Sequence, residues 1–74
     1  MCDEPGACVS DNIVDYGSQP SPTDCLNACK DNASCEYWTY QTDSGMCTTW
    51  EDCATIDTSC TNCVSGEKEC PVSM

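Results

Sequence analysis

Ten cysteines in 74 residues constrain this chain more than any other feature of its sequence. The number is even, and such a density in a short chain is typical of a disulfide scaffold. The chain has no phenylalanine and few large aliphatic side chains, so its core is marginal, and natural domains of this size usually add covalent cross-links. Five bridges, at roughly 2–4 kcal/mol each, would supply most of the net stability. The cysteines are Cys2, Cys8, Cys25, Cys29, Cys35, Cys47, Cys53, Cys60, Cys63 and Cys70.

Metal binding is the rival explanation of so many thiols. Cys60-x-x-Cys63 has the spacing of a zinc knuckle, but a structural zinc site normally needs two such pairs or histidines, and the chain has no histidine. The same pair has the spacing of a thioredoxin-like redox motif without the βαβ setting of that fold. The acids are scattered and form no EF-hand loop. The sequence therefore predicts structural disulfides, no metal and no cofactor.

Disulfides indicate an oxidising compartment, such as the secretory lumen, the cell exterior or a virion surface. Met1 is followed directly by Cys2, Asp3 and Glu4, without the basic and apolar regions of a signal peptide. We therefore expect that a signal has been removed or that the segment belongs to a longer chain, and we predict a secreted, extracellular protein. No apolar run approaches the ~20 residues of a membrane span, so membrane insertion is not expected.

The chain is strongly acidic, with a formal net charge of −11. Thirteen carboxylates stand against only Lys30 and Lys68. Such a field repels nucleic acid and anionic membranes and favours cationic partners. We expect most of these acids to form a solvated surface.

The clearest local signal is a helix over 22–31. Ser21 is a suitable N-cap, Pro22 suits the first helical position, and Asp24 falls where a capping box places its acid. Two cysteines lie one turn apart on this helix, on one face. Because so short a helix is marginal alone, we expect that face to be clamped to the rest of the fold.

Strands are predicted on both sides of this helix. Residues 35–40 are rich in aromatic side chains, and with the turn 42–45 and the returning strand 47–50 they form a hairpin. Trp38 and Trp50 are expected in the core, across from each other on this hairpin. The other expectations are an irregular segment over 1–10, a short strand over 12–16, a loop over 51–63 and a final strand at 64–65. This order predicts an α+β fold, with a few antiparallel strands and one short helix across them.

An ordered set of motifs covers residues 8–71, nearly the whole chain. In chain order these are Asp15-Tyr16-Gly17, Cys25-x3-Cys29-x5-Cys35, Tyr37-Trp38-Thr39-Tyr40, Cys47 and Val64-Ser65-Gly66-Glu67-Lys68-Glu69-Cys70. Together they resemble the PAN/apple domain of invertebrate and protist proteins. The resemblance implies a single small, disulfide-rich domain over 1–74 with its core at 8–71, in which a curled antiparallel sheet cradles one helix.

The resemblance also implies a pattern of bridges. It pairs Cys25 with Cys47 and Cys29 with Cys35, and it ties the two termini together through a bridge from Cys2 or Cys8 to Cys63 or Cys70. The family core has six cysteines, so four are extra here. Ten cysteines allow about 945 connectivities, and the sequence alone establishes none of them. Our working assignment is Cys25–Cys47, Cys29–Cys35, Cys2–Cys70, Cys8–Cys63 and Cys53–Cys60.

Catalysis has little support, and we predict that the protein is not an enzyme. Histidine, the commonest acid–base residue, is missing. The chain has neither a nucleophile elbow nor a phosphate-binding loop.

Binding is better supported, because aromatic side chains that face outward can stack on a sugar or anchor a protein partner. We expect this role for Tyr16 and Tyr37, with Thr48, Thr49 and the Asp43-Ser44-Gly45 turn as polar neighbours. Asn32-Ala33-Ser34 is an acceptor motif for N-glycosylation, so Asn32 is a candidate modification site, although short motifs also arise by chance.

Three functions follow from this pattern. The leading hypothesis is an extracellular binding or adhesion module that recognises a protein or a carbohydrate, as PAN/apple relatives do, and that forms one unit of a larger secreted protein. The second is a structural subunit that self-assembles into a filament or matrix. The third is a secreted inhibitor or effector.

Overall fold

A computed structural model describes residues 4–69. Its elements are β1 (Glu4–Pro5), β2 (Ala7–Val9), β3 (Ile13–Ser18), α1 (Pro22–Lys30), β4 (Tyr37–Gln41), β5 (Met46–Trp50), β6 (Thr55–Asp57) and β7 (Cys63–Glu67). Five strands form an antiparallel sheet in the order β1-β7-β4-β5-β3, and β2 pairs with β6 in a separate two-stranded ribbon. The described chain is therefore a small, disulfide-rich α+β structure with antiparallel sheets and one short helix.

Helix α1 packs on one face of the sheet, against β4 and β5. Cys47 is bonded to Cys25 of the helix, and the register places Tyr40 opposite Cys47 and Trp38 opposite Thr49. Directly paired residues share a face, so these four side chains face the helix, and all four are buried. The main core is built here, from half-cystines and aromatic rings rather than from a large aliphatic cluster.

The two tryptophans do not lie across from each other. Both are buried, at 0% exposure for Trp38 and 9% for Trp50, but the register pairs Trp50 with Tyr37. Trp50 therefore lies on the face away from the helix. The expectation that Trp38 and Trp50 pair across the hairpin is therefore wrong. The observed register differs by one residue, and a shift of one residue moves a side chain to the opposite face of the sheet.

The start of the helix is as predicted. The backbone N–H of Asp24 donates to the Ser21 hydroxyl at 3.2 Å, and that hydroxyl donates to the Asp24 carboxylate at 2.8 Å. Pro22 occupies the first turn, where its missing N–H costs nothing. The helix ends at Lys30, one residue before the predicted end.

Replacing Ser21 with alanine should lower the free energy of unfolding by about 1 kcal/mol, because the Asp24 amide loses its acceptor. Thr23→Ala is the matched control, since Thr23 is exposed in the same turn. Urea denaturation of both variants measures the difference. Equal stabilities would show that the Ser21 cap contributes nothing.

A two-stranded ribbon packs over the second face of the sheet. Its strands, β2 and β6, lie in segments expected to be irregular (1–10) and a loop (51–63), so those two expectations are wrong. Strand β2 runs antiparallel to β6, with Cys8 opposite Ile56. The chain leading into β6 is thereby brought beside β2.

This ribbon changes two of the expected bridges. The structure joins Cys8 to Cys53 and Cys60 to Cys63, in place of Cys8–Cys63 and Cys53–Cys60. The β2–β6 pairing brings Cys53 to Cys8, with 5.3 Å between their Cα atoms. Cys60 lies in the turn that immediately precedes β7, where Cys63 begins the strand. The other described bridges are Cys25–Cys47 and Cys29–Cys35, the pairs that the PAN/apple resemblance implied, whereas Cys2–Cys70 lies outside the described residues.

A buried hydrogen-bond network fixes the ribbon to the sheet through Thr39. Its hydroxyl accepts from the Trp50 indole N–H at 3.1 Å and from the backbone N–H of Cys8 at 3.2 Å. The Ser65 hydroxyl donates its hydrogen to the carbonyl of Gly6 at 2.8 Å. Thr39 must therefore be the donor in the 2.8 Å bond between the Thr39 and Ser65 hydroxyls. Thr39 thus uses its one donor and both acceptor positions. Gly6 turns the chain at φ 115°, where a Cβ would collide with β6.

Candidate ligand-binding cleft

An open cleft of about 190 Å³ lies between helix α1 and the edge strand β3. We call it the helix–edge cleft. Strand β3 borders it on one side, the helix and the residues after it on the other, and β5 forms the floor. Its lining residues are Asp15, Tyr16, Gly17, Gln19, Ala28, Asn32, Cys47 and Thr49.

Covalent and hydrogen-bonded contacts fix the walls of this cleft. The Cys25–Cys47 bridge joins the helix to the floor, and Cys29–Cys35 ties the end of the helix to the approach to β4. Gln19 is held at both of its backbone groups, because its N–H donates to the Gly45 carbonyl at 2.8 Å and its carbonyl accepts from the Tyr40 hydroxyl at 2.9 Å. A ligand would therefore meet a largely preformed site.

Several polar groups of the cleft are only partly used within residues 4–69. One carboxylate oxygen of Asp15 accepts from the Tyr16 backbone N–H at 2.8 Å, and the Asn32 side-chain carbonyl accepts from the Ser34 N–H at 3.0 Å. The second oxygen of Asp15, the Asn32 side-chain N–H₂ and the Gln19 side-chain amide have no protein partner in this part of the chain. The cleft thus offers one anionic acceptor and two amides to a ligand.

Strand β3 also presents apolar side chains on the face away from the helix. Tyr16 lies opposite Thr48 and Ile13 lies opposite Trp50, and Tyr16 and Ile13 are 72% and 53% exposed. The predicted binding residues Tyr16 and Thr48 are therefore direct neighbours. Tyr37 lies on the same face beyond Trp50 and is half-buried.

The acids Asp43 and Asp57 lie away from the cleft. Asp43, predicted as a binding residue, is in the β4–β5 turn, where its carboxylate accepts from the Asn62 side chain at 3.4 Å. Hydrogen bonds from the hydroxyl and then the backbone N–H of Ser59 lower the pKa of Asp57, because both donors stabilise its ionised form. Its place in the β4–β5 turn means that Asp43 does not join the predicted binding residues Tyr16 and Tyr37 in one site.

Sequence reasoning did not single out Asp15 or Gln19 as binding residues, and it placed Thr49 only among the polar neighbours of the tyrosines. For Thr49 a signal was present, because strand alternation puts it on the same face as Cys47, whose bridge implied a helix overhead. Asp15 was noted only as part of a family motif. Gln19 belongs to no pattern, and only the tertiary structure brings it to the cleft.

No family model, curated protein or solved structure matches this chain. Residues 4–69 contain no group of three or more metal-ligating side chains arranged to hold an ion. The same residues include no helix with the length and apolar character needed to cross a bilayer.

Proposed function

We propose that this protein is an extracellular binding module of the PAN/apple type that recognises a sugar through the helix–edge cleft. Support for the family comes from the one-helix α+β architecture and from the bridges Cys25–Cys47 and Cys29–Cys35. Support for an extracellular site of action comes from four described disulfides in a chain this short.

The observation that carries the proposal is a set of polar groups, in a disulfide-braced cleft, that have no protein partner within residues 4–69. The free oxygen of Asp15 can accept a hydroxyl hydrogen, and the amides of Gln19 and Asn32 can both donate and accept. A sugar ring displays such hydroxyl groups around its edge. At about 190 Å³ the cleft is smaller than the roughly 300–1,000 Å³ of pockets for drug-sized ligands, so it suits a single ring.

Tyr16 borders this cleft, and its exposed side chain lies around the edge strand β3, on the face of the sheet away from the helix. An aromatic ring combines apolar area with a polar tip at low entropic cost. A glycan that extends from the cleft over the edge strand β3 can stack its next residue on this ring. The site would thereby gain apolar contact area.

Asp15→Asn is expected to weaken sugar binding about tenfold, because a hydrogen bond to a charged acceptor becomes one to a neutral acceptor. The replacement keeps an oxygen for the Tyr16 amide. Amide chemical shifts of the isotope-labelled protein, titrated with a panel of monosaccharides, would locate the site and give its affinity. The expected shifts fall on Gly17 and Thr49.

Asp11→Asn is the matched control for this experiment, since Asp11 is exposed and outside the cleft. It removes the same charge, so any effect of net charge alone would appear equally in both variants. The proposal is wrong if no sugar in the panel shifts the cleft amides, or if the two variants bind equally well.

Self-assembly is a second candidate, and the exposed Ile13 and Tyr16 on an edge strand favour it. Unpaired edges invite pairing with another chain. Two observations oppose self-assembly. The Asp15 carboxylate already accepts the Tyr16 N–H that an added strand would need, and copies that each carry a net charge of −11 repel one another. Sedimentation over a wide concentration range separates the candidates, because only self-assembly gives growing species.

A further inference from the structure

The glycosylation motif predicted at residues 32–34 lies directly at the helix–edge cleft. Asn32 lines the cleft and is half-buried, while Ala33 and Ser34 are exposed. The acceptor motif and the candidate sugar site therefore share one residue. Neither feature alone predicts this coincidence.

The backbone around Asn32 holds its side chain in place. Its N–H donates to the Cys29 carbonyl at 3.1 Å, and its carbonyl accepts from the Cys35 N–H at 3.0 Å and from the Lys68 ammonium at 3.3 Å. The side-chain carbonyl is engaged by the Ser34 N–H at 3.0 Å. The side-chain nitrogen, which would carry a sugar, has no partner within the described residues.

We propose that Asn32 carries an N-linked glycan whose first sugar covers the helix–edge cleft. The N–C bond forms between the Asn32 side-chain nitrogen and the anomeric carbon of a lipid-pyrophosphate-linked oligosaccharide. The amide loses one proton, and the lipid pyrophosphate is the leaving group. The transfer requires a secretory-pathway glycosyltransferase, in keeping with an oxidising compartment.

Tethering keeps the first sugar in the cleft. A group attached at the lining has an effective local concentration in the millimolar range, so it excludes free sugars of weaker affinity without any new contact. The fraction of chains glycosylated at Asn32 would then set the fraction able to bind an external glycan. This regulatory consequence rests on the proposed sugar-binding function. The attachment of a glycan to Asn32 and its position over the cleft do not depend on that function.

The test compares wild-type protein secreted from eukaryotic cells with Ser34→Ala. That variant abolishes the acceptor motif but keeps Asn32 and the bond from residue 34, because the donor is the backbone N–H. Intact mass before and after enzymatic deglycosylation reports attachment, and amide shifts of both forms report coverage. Asn32→Gln serves as a second unglycosylated form, and its spectrum should match that of Ser34→Ala outside residues 32–34 and their direct contacts.

We expect glycan mass on the wild type alone, with shift differences concentrated at Gly17, Ala28 and Thr49. Binding of free monosaccharide should appear in Ser34→Ala and be lost in the glycosylated form. An unmodified wild type, or a glycan that leaves the cleft amides unshifted, overturns the proposal. If the glycan shifts the cleft but neither form binds free sugar, coverage stands and the sugar-binding function fails.

Discussion

Replacing both Cys25 and Cys47 with alanine is expected to lower the free energy of unfolding by about 4 kcal/mol. The bridge spans 22 residues, and the chain-entropy relation gives ~3.4 kcal/mol for a loop of that length. Both residues are almost fully buried, so lost packing adds to this figure. A domain of this length has only about 4–11 kcal/mol in total. The loss is thus at least about a third of the total, so the variant should unfold at a much lower temperature and urea concentration, which thermal and urea denaturation followed by circular dichroism would show.

The double replacement of Cys60 and Cys63 is the control for this result. That bridge spans three residues, for which the same relation gives only ~1.6 kcal/mol. It also removes two half-cystines, so general effects of losing a disulfide appear in both variants. Equal losses of stability would contradict the view that Cys25–Cys47 is the principal clamp between helix and sheet.

Thr39→Val is expected to cost about 2–4 kcal/mol, although it preserves the shape of the side chain. The change leaves the Trp50 indole N–H and the Cys8 backbone N–H without their acceptor, and Ser65 without its donor. Each unsatisfied buried group costs about 1–3 kcal/mol, and partial relaxation keeps the total below the simple sum. Urea denaturation gives the loss. A shifted Trp50 fluorescence spectrum under native conditions would report the broken bond directly.

Thr48→Val provides the comparison, because Thr48 lies directly opposite Thr39 on the same face of the sheet. It is only half-buried, and no hydrogen bond of its hydroxyl is seen within residues 4–69. We expect a change within about 0.5 kcal/mol there. A Thr39→Val variant as stable as Thr48→Val would mean that the ribbon needs no polar anchor.

Local signals in the sequence predicted the helix and the central hairpin. A serine cap with an acid three residues later is a short-range pattern, and the structure uses it at Ser21 and Asp24. The aromatic run and the turn that follows it are equally local. These elements could be predicted because the residues that determine them are close together in the chain.

The β2–β6 ribbon could not be predicted in the same way. Each strand has three residues, which are too few to show an alternation of apolar and polar side chains. In addition, Cys8 and Ile56, which lie opposite each other in the ribbon, are far apart in the sequence. Two bridges were misassigned because their partners depend on that pairing. The register of Trp50 was missed for a related reason, since strand boundaries read from composition are uncertain by one residue or more.

The cleft was only partly visible in the sequence. Tyr16 and Asn32 were both singled out, but as unrelated features. Asp15, Gln19 and Thr49 meet them only because β3 pairs with β5 at the edge of the sheet and α1 packs beside it. Sites assembled from a strand edge, a helix end and a sheet floor depend on topology, which short motifs do not encode.

The pairing of β1 with β7 determines where the two ends of the described chain lie relative to the helix–edge cleft. Glu4 lies opposite Ser65, at the edge of the sheet farthest from β3. The strands nearest the two ends of the described range thus lie beside each other, on the opposite edge of the sheet from the helix–edge cleft. A partner held at that edge would leave the cleft open to a ligand.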